Sequence, residues 1–179
     1  MELEEQTVRN GFAIRTRVEP GQSPDIVFQE HVLTGTDAFE FAPRTNDVGD
    51  VAWADVFGES AKHSLSRNDV YLNGHVVAND VAVQDLALSE THLAWITPLP
   101  TGTQITFFDL LTEETTTQTV DFATDRIVEL DGSFVVVGLE TGTGDSFSAV
   151  LEPDQSPDIL AQGDTALQLS GAHLDPLLI

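Results

Sequence analysis

Short runs of β-branched and aromatic residues, each followed by turn-forming residues, recur along the whole chain. Helical periodicity is nearly absent, and the pairs Asn73-Gly74 and Asp131-Gly132 supply the positive φ that tight hairpins need. The pattern predicts an all-β chain of antiparallel hairpins, and no Pro-rich or Ser-rich linker divides it. The predicted strands span residues 12–18, 26–29, 38–42, 51–57, 75–78, 92–97, 104–110, 117–122, 133–139 and 146–151.

One nine-residue segment occurs twice, since residues 18–26 return as residues 151–159 with seven identical positions. A weaker repeat places a leucine before a turn pair at spacings of 55, 42 and 39 residues, at Leu33, Leu88, Leu130 and Leu169. Self-similarity at such periods indicates four-stranded propeller blades, which are about 40 to 45 residues long.

Residues 88–122 resemble one blade of the TolB-like or WD40-like β-propellers. In that resemblance Leu93–Ile96 is the second strand of the blade, and Ile105–Glu113 is the third strand with its turn. The chain has one Gly-His pair, Gly74-His75, and no Trp-Asp dipeptide accompanies it. The resemblance implies an all-β, about four-bladed β-propeller that forms a single domain over residues 1–179.

The implied blades are residues 33–87, 88–129 and 130–165, and a composite of residues 8–30 with 166–178. Pairing of these N- and C-terminal strands would close the ring and leave no blade without a neighbour. The unit 33–87 is about a dozen residues longer than a usual blade, and no function is assigned to the excess. A single jelly-roll β-barrel is the alternative fold, but it gives no reason for the repeated nonapeptide.

The charge of the chain is strongly negative, with 30 acidic against 7 basic residues and a formal net charge of −23. The acidic residues are scattered, Lys62 is the single lysine, and cysteine is absent, a composition that resembles the proteins of salt-in halophilic archaea and their viruses. Molar salt shortens the Debye length to about 3 Å and so screens the self-repulsion. Nucleic acids and anionic membrane surfaces are excluded as partners by their own negative charge.

The beginning of the chain, Met1–Glu5, has neither the basic nor the apolar region of a secretory signal, and no apolar run is long enough to span a membrane. A cytoplasmic or virion location without membrane insertion is therefore expected.

No residues are predicted to be catalytic, to bind a cofactor or to bind a metal. The histidines have no metal-ligand spacing, and the serines near His63 lack the other members of a triad; these residues are His31, His63, His75, His92, His173, Ser60, Ser64 and Ser66. Several acidic pairs are interpreted as a solvated surface, namely Asp47 with Asp50, Glu113 with Glu114, Asp121 with Asp125 and Glu129 with Asp131. Trp53 and Trp95 are predicted to be core residues rather than sugar platforms.

The one local basic cluster is Arg9, Arg15 and Arg17, which we take as a candidate contact surface for another acidic protein. The sequence thus suggests a non-enzymatic structural or protein-interaction subunit of a halophilic assembly, such as the virion of a haloarchaeal virus, in a homo- or hetero-oligomer. The alternative is a glycan-binding module or a glycan-processing propeller enzyme. A deep pocket with two carboxylates or an exposed tryptophan would favour this alternative.

We expect folding to depend on salt, because a charge of −23 repels itself in dilute buffer. Circular dichroism during heating should give a Tm at least about 10 °C higher in molar KCl than in dilute buffer, equivalent to roughly 3 to 5 kcal/mol. Sucrose at matched osmolality should not reproduce the increase. Equal Tm values in dilute buffer and in molar KCl would contradict the adaptation to salt.

Overall fold

The computed structural model describes residues 6–19, 22–35, 38–56, 68–139 and 146–162, and its regular elements there are all strands. The strands are β1 (Gln6–Arg9), β2 (Phe12–Arg17), β3 (Asp25–Phe28), β4 (His31–Val32), β5 (Phe39–Thr45), β6 (Val51–Val56), β7 (Asn68–Leu72), β8 (His75–Val81), β9 (Asp85–Leu88), β10 (His92–Leu99), β11 (Gly102–Asp109), β12 (Thr115–Val120), β13 (Ala123–Leu130), β14 (Ser133–Leu139), β15 (Ser146–Leu151) and β16 (Asp158–Gln162).

Each group of four consecutive strands forms one antiparallel sheet, and the four sheets are the blades of a four-bladed β-propeller. The first blade holds β1 to β4, the second β5 to β8, the third β9 to β12 and the fourth β13 to β16. The innermost strands β1, β5, β9 and β13 line a central channel. The all-β propeller that the sequence predicts is confirmed, and the jelly-roll alternative is wrong.

The last two blade borders lie one strand earlier than the sequence predicts, whereas the border at residue 33 agrees with the structure. The third blade begins at β9 rather than at residue 88, because β9 pairs with β10, and β13 belongs to the fourth blade instead of ending the unit 88–129. The unit 33–87 begins at the observed border but runs on into β9, and the unit 130–165 begins only at the last residue of β13. Residues 6–32 contain a complete four-stranded blade, so the composite of 8–30 with 166–178 is not needed to supply its four strands. Residues 166–178 lie outside the described residues.

The two copies of the repeated nonapeptide occupy different places in their blades. Residues 18–24 join the second and third strands of the first blade, whereas residues 152–157 join the third and outer strands of the fourth. Locally the copies agree, because the N–H of Gln22 donates to the carbonyl of Glu19 at 3.0 Å, and the N–H of Gln155 donates to that of Glu152 at 3.1 Å. The repeat therefore encodes a turn and not a blade position.

The blades are held together by apolar packing between their faces. In the third blade, alternate residues point to opposite neighbours: Leu86 and Trp95 pack against the second blade, while Ala87 and Ile96 pack against the fourth. A strand covered on both faces needs no polar side, which explains why β9 and much of β10 are continuously buried. A smaller cluster joins the first and second blades through Ile14, Ile26, Val51 and Trp53.

Near the axis, the carboxylate of Asp85 joins three inner strands. Its Oδ1 accepts a hydrogen bond from the Arg44 guanidinium on β5 at 2.5 Å, and its Oδ2 accepts one from the backbone N–H of Ile127 on β13 at 3.0 Å. Arg44 also donates from Nε to the carbonyl of Leu86 at 2.7 Å. Because Asp85 is 7% exposed, these contacts lie in a region of low dielectric, where they are weakly screened by salt.

The first blade meets the fourth through Arg9. Its guanidinium lies 2.9 Å from Oε2 of Glu129 and donates to the carbonyl of the same residue at 3.1 Å. On its other side, Oγ1 of Thr7 donates to the carbonyl of Pro43 on β5 at 2.9 Å. Among the described residues, no apolar cluster joins the first blade to the fourth. Polar contacts therefore connect all four inner strands, and the first and fourth blades depend on them most.

Replacing Asp85 by alanine should lower the free energy of unfolding by about 3 to 5 kcal/mol, because Arg44 and the Ile127 N–H lose their acceptor while they remain buried. Urea denaturation in molar KCl would measure the loss. Asp121→Ala is the matched control, since Asp121 is exposed, and it should change stability by less than about 0.5 kcal/mol. Equal effects of the two substitutions would contradict the role of Asp85.

Candidate functional site

The central channel is a polar recess of about 650 Å³. The inner strands contribute three arginines and three carboxylates to its lining, namely Arg9, Arg44, Arg126, Asp85, Asp125 and Glu129. Arg44 is paired with Asp85 and Arg9 with Glu129, so most of these charges connect the strands to one another. We therefore assign the channel a mainly structural role.

The structure does not place the three arginines of the predicted contact surface in one cluster. Arg15 and Arg17 lie two residues apart on β2, but Arg9 lies on β1 at the far end of the β1–β2 pair from Arg15. Arg15 is 3.2 Å from a carboxylate oxygen of Glu30, and Arg17 is 3.4 Å from one of Asp25. Each guanidinium thus faces a carboxylate of this chain, which reduces the positive charge available to a partner. Their role in contact with another protein remains a prediction.

A second recess lies between the first and second blades, which we call the interblade cavity. Its volume is about 500 Å³, and its lining combines apolar, aromatic and acidic side chains, namely Phe28, Leu33, Thr34, Glu40, Val51, Trp53, Asp55, Tyr71 and Asn73, with three glycines. The outer strand of the first blade, β4, has only two residues, whereas β7 and β8 opposite are longer. Among the described residues, the face of the second blade is therefore incompletely covered, and this leaves the recess.

The acidic residues of the interblade cavity are brought together by strand register. Glu40 on β5 lies directly opposite Asp55 on β6, and Asp55 lies opposite Asp69 on β7. Residues paired in this way have Cβ atoms about 4.5 to 5.5 Å apart. Glu40 is 1% exposed and Asp55 is 3% exposed, so two carboxyl groups are buried side by side.

Next to these carboxyl groups, Trp53 and Tyr71 stack across the same two strands. Their ring centroids are 5.1 Å apart and their planes differ by 1°. Trp53 is 3% exposed and Tyr71 is half-buried, so one face of the tyrosine ring is covered by the tryptophan. The sequence prediction that Trp53 and Trp95 are core residues is confirmed, since both are 3% exposed.

Burial raises the pKa of Asp55 above its ordinary value of 3.8. The Tyr71 hydroxyl and the backbone N–H of Asp69 oppose this by hydrogen bonding, while the negative charge of Asp69 adds to it. Burial, together with the nearby Asp55 carboxylate, raises the pKa of Tyr71 to about 12. The Oδ1 atom of Asp55 is buried without a hydrogen-bond partner among the described residues. Asp55 is therefore a carboxyl group whose ionised form is costly to bury.

Sequence reasoning identified β5 and β6 as strands but did not identify Glu40, Asp55 or Tyr71 as site residues. One signal in the sequence could have pointed to the site, because Asp55 directly follows the apolar run Val51–Ala54. In the structure these residues belong to β6, whose six residues are all buried. An acidic residue inside such a run departs from the usual exposure of aspartate.

The other residues that the sequence analysis considered form no site in the described part of the chain. His92 Nε2 lies 3.6 Å from Asp109 Oδ2, and its Nδ1 lies 2.9 Å from Thr91 Oγ1. Across the described ranges, no group of three or more histidine and acidic residues could hold a metal ion. No helix in these ranges is long and apolar enough to cross a membrane. The predictions for His63, His173 and the three serines lie outside the described residues.

An exposed apolar side chain stands on the turn between β11 and β12. Leu111 is 91% exposed, although the turn that carries it is well ordered by hydrogen bonds. The carboxylate of Asp109 accepts the N–H groups of Leu111 and Thr112, both at 2.8 Å, and these two bonds lower the pKa of Asp109. The Leu110 N–H donates to the carbonyl of Thr91 at 2.9 Å, which fixes the turn to its own blade. Leu111 is thus exposed to solvent on a turn whose conformation is fixed by hydrogen bonds.

The chain was compared with known proteins. No family model matches it, and no curated protein matches it. Among solved structures, it is similar to TolB from Acinetobacter baumannii, with a TM-score of 0.54 and 14% sequence identity. The alignment covers 83% of this chain and 37% of that chain, so the chain spans little more than a third of the length of TolB. At this identity the likeness shows the propeller fold alone.

Asp55→Asn should make the protein more stable at neutral pH. Because the folded pKa of Asp55 is raised, its stabilising contribution is present at low pH, where it is protonated, and is lost as pH rises from about 4 through the raised value. Each unit of the rise is worth about 1.4 kcal/mol, and asparagine avoids this loss while still accepting from Tyr71. Urea denaturation of both proteins in molar KCl, between about pH 4 and pH 7, would measure this gain in the free energy of unfolding.

The advantage of Asp55→Asn over the wild type should grow as pH rises and then level off. Glu40, Asp69 and Tyr71 remain in both proteins, so their titration is largely common to the two curves. Asp131→Asn, in an exposed turn whose φ of 50° asparagine tolerates, is the control and should show little change. A variant that is less stable than the wild type throughout the range would show that Asp55 is well accommodated when ionised.

Proposed function

We propose that this chain is a non-enzymatic protein-interaction subunit that works at high salt concentration within a larger assembly, such as the virion of a haloarchaeal virus. The propeller fold supports the proposal in general terms, because it is a rigid scaffold whose turns and outer strands can present contact surfaces. The acidic residues support the proposed work at high salt concentration. They are scattered over the chain instead of forming an acidic tail, and the net charge of −23 that they give would keep the protein soluble. We propose in addition that the chain works as part of a homo- or hetero-oligomer.

The observation that carries the proposal is an uncharged surface at the edge of the third blade, formed by Leu111 and β12. Leu111 is 91% exposed, and β12 reads Thr-Thr-Thr-Gln-Thr-Val in a chain with 21% charged residues. β12 is the outermost strand of its sheet, and among the described residues its backbone pairs only with β11, while the side chains of Thr116 and Gln118 donate to the carbonyls of Pro153 and Glu152. Soluble proteins usually protect such an edge with charged residues, and β12 has none. An ordered turn beside it lowers the entropy cost of binding a partner.

A glycan-binding or glycan-processing role is the second candidate, and the interblade cavity is the observation that favours it. Two carboxyl groups, those of Glu40 and Asp55, are neighbours in the lining, as a glycan-processing site requires. Against this, Trp53 is 3% exposed and is covered by Tyr71, so its ring is not free to stack on a sugar. The protein-interaction role is therefore the better supported of the two.

To test the proposed function, the chain would be co-expressed with the products of the genes that flank its own and analysed by size-exclusion chromatography with light scattering in molar KCl. We expect a stable complex, and we expect Leu111→Asp or Thr117→Lys to abolish it by adding charge to the contact surface. Both residues are exposed, so the stability of the chain itself should change by less than about 0.5 kcal/mol.

Leu99→Asp, which alters another exposed leucine at the tip of a different hairpin, is the control and should leave the complex intact. A wild-type chain that elutes as a monomer with every co-expressed product would refute the interaction role. A complex that survives Leu111→Asp and Thr117→Lys but is lost in Leu99→Asp would move the contact surface away from β12.

A further inference from the structure

We propose that the interblade cavity binds an organic cation, a primary ammonium or guanidinium group carried on an aliphatic stem. The cavity has room for such a group, at about 500 Å³, and one wall is acidic while the other walls are apolar and aromatic. This inference concerns the isolated chain and does not depend on the contact surface at β12. Either can therefore fail without the other.

The acidic wall offers an acceptor that the protein leaves unused. Asp55 lines the cavity, is 3% exposed, and its Oδ1 has no hydrogen-bond partner in the described part of the chain. A buried acceptor without a donor costs about 1 to 3 kcal/mol, and more when it is charged. An ammonium or guanidinium group would provide both the missing donor and the opposite charge. Glu40, directly opposite on β5, adds a second negative charge to the same wall.

The remaining walls suit the stem and the face of such a cation. Tyr71 lines the cavity, is stacked on Trp53 and is half-buried, so part of its ring surface is accessible to a ligand. A cation over an aromatic face gains about 0.5 to 2 kcal/mol, the larger values applying where water is excluded. Phe28 and Val51 give apolar surface for the methylene groups of the stem.

Other classes of ligand fit the cavity less well. A hard metal ion needs several oxygen ligands, and no suitable group of three acidic or histidine side chains exists among the described residues. A phosphate or carboxylate would be repelled by Glu40 and Asp55. A neutral sugar would leave the charge of Asp55 uncompensated, and it would find no free tryptophan face. The positive charge of the ligand is thus its defining property.

Isothermal titration calorimetry on the full chain in molar KCl would test the site with n-butylammonium chloride. We expect saturable binding at one site per chain, and no binding of 1-butanol, which has the same stem without the charge, or of glucose. Asp55→Asn should weaken binding about 10- to 100-fold, because it removes one charge-assisted hydrogen bond. Glu40→Gln is a second variant with the same expected direction, and Asp131→Asn, far along the chain in an exposed turn, should bind like the wild type.

A lysine-containing tripeptide with blocked ends distinguishes the two possible sources of the cation. Tighter binding of the peptide than of butylammonium would indicate a lysine side chain of a partner protein, and the reverse would indicate a free amine. The proposal is overturned if butylammonium shows no saturable binding, if 1-butanol or glucose binds equally well, or if neither Asp55→Asn nor Glu40→Gln weakens binding. Binding of glucose alone would instead support the glycan role.

Discussion

The carboxylate of Asp85 holds three of the four blades at the axis, because it accepts hydrogen bonds from Arg44 on β5 and from Ile127 on β13 while lying on β9. These contacts join the inner strands, and the apolar faces of the blades pack against one another further out. An ion pair at this depth must be fully hydrogen-bonded to be tolerated, and the Leu86 carbonyl completes the set by accepting from Arg44. The fold thus combines a polar axis with apolar contacts between blades.

The same polar axis limits what the sequence can predict. All ten predicted strands exist, but six others were missed, namely β1, β4, β7, β9, β13 and β16, and three of these, β1, β9 and β13, are inner strands. β1 and β13 carry Arg9, Asp125, Arg126 and Glu129, and β9 begins at Asp85, because these residues face the channel. Charged residues interrupt the apolar pattern that identifies a strand, and this shifted the predicted blade borders at residues 88 and 130 by one strand, while the border at residue 33 agrees with the structure. The interblade cavity was missed for a different reason, since it depends on the register that places Glu40 opposite Asp55.

The repeated nonapeptide shows how far local sequence similarity can be used. Both copies form a turn closed by a glutamine N–H and a glutamate carbonyl, as their shared Glu-Pro-x-Gln sequence favours. One copy precedes the third strand of its blade and the other precedes the fourth. A turn of this kind joins any two antiparallel neighbours in a meander, so its repetition indicates hairpin architecture without indicating the phase of the blades.

Neighbouring blades are held together by two kinds of contact, apolar packing and the Arg9–Glu129 ion pair. These two kinds of contact respond in opposite ways to salt. High salt strengthens apolar burial, which joins the first blade to the second, the second to the third and the third to the fourth. It weakens an ion pair whose arginine side chain is 42% exposed, worth about 0 to 1 kcal/mol even in dilute solution. Among the described residues the first and fourth blades share no apolar cluster, and Arg9 joins them through the ion pair and through a hydrogen bond to the carbonyl of Glu129. Separation of these two blades would expose the channel without breaking an apolar cluster of the described residues.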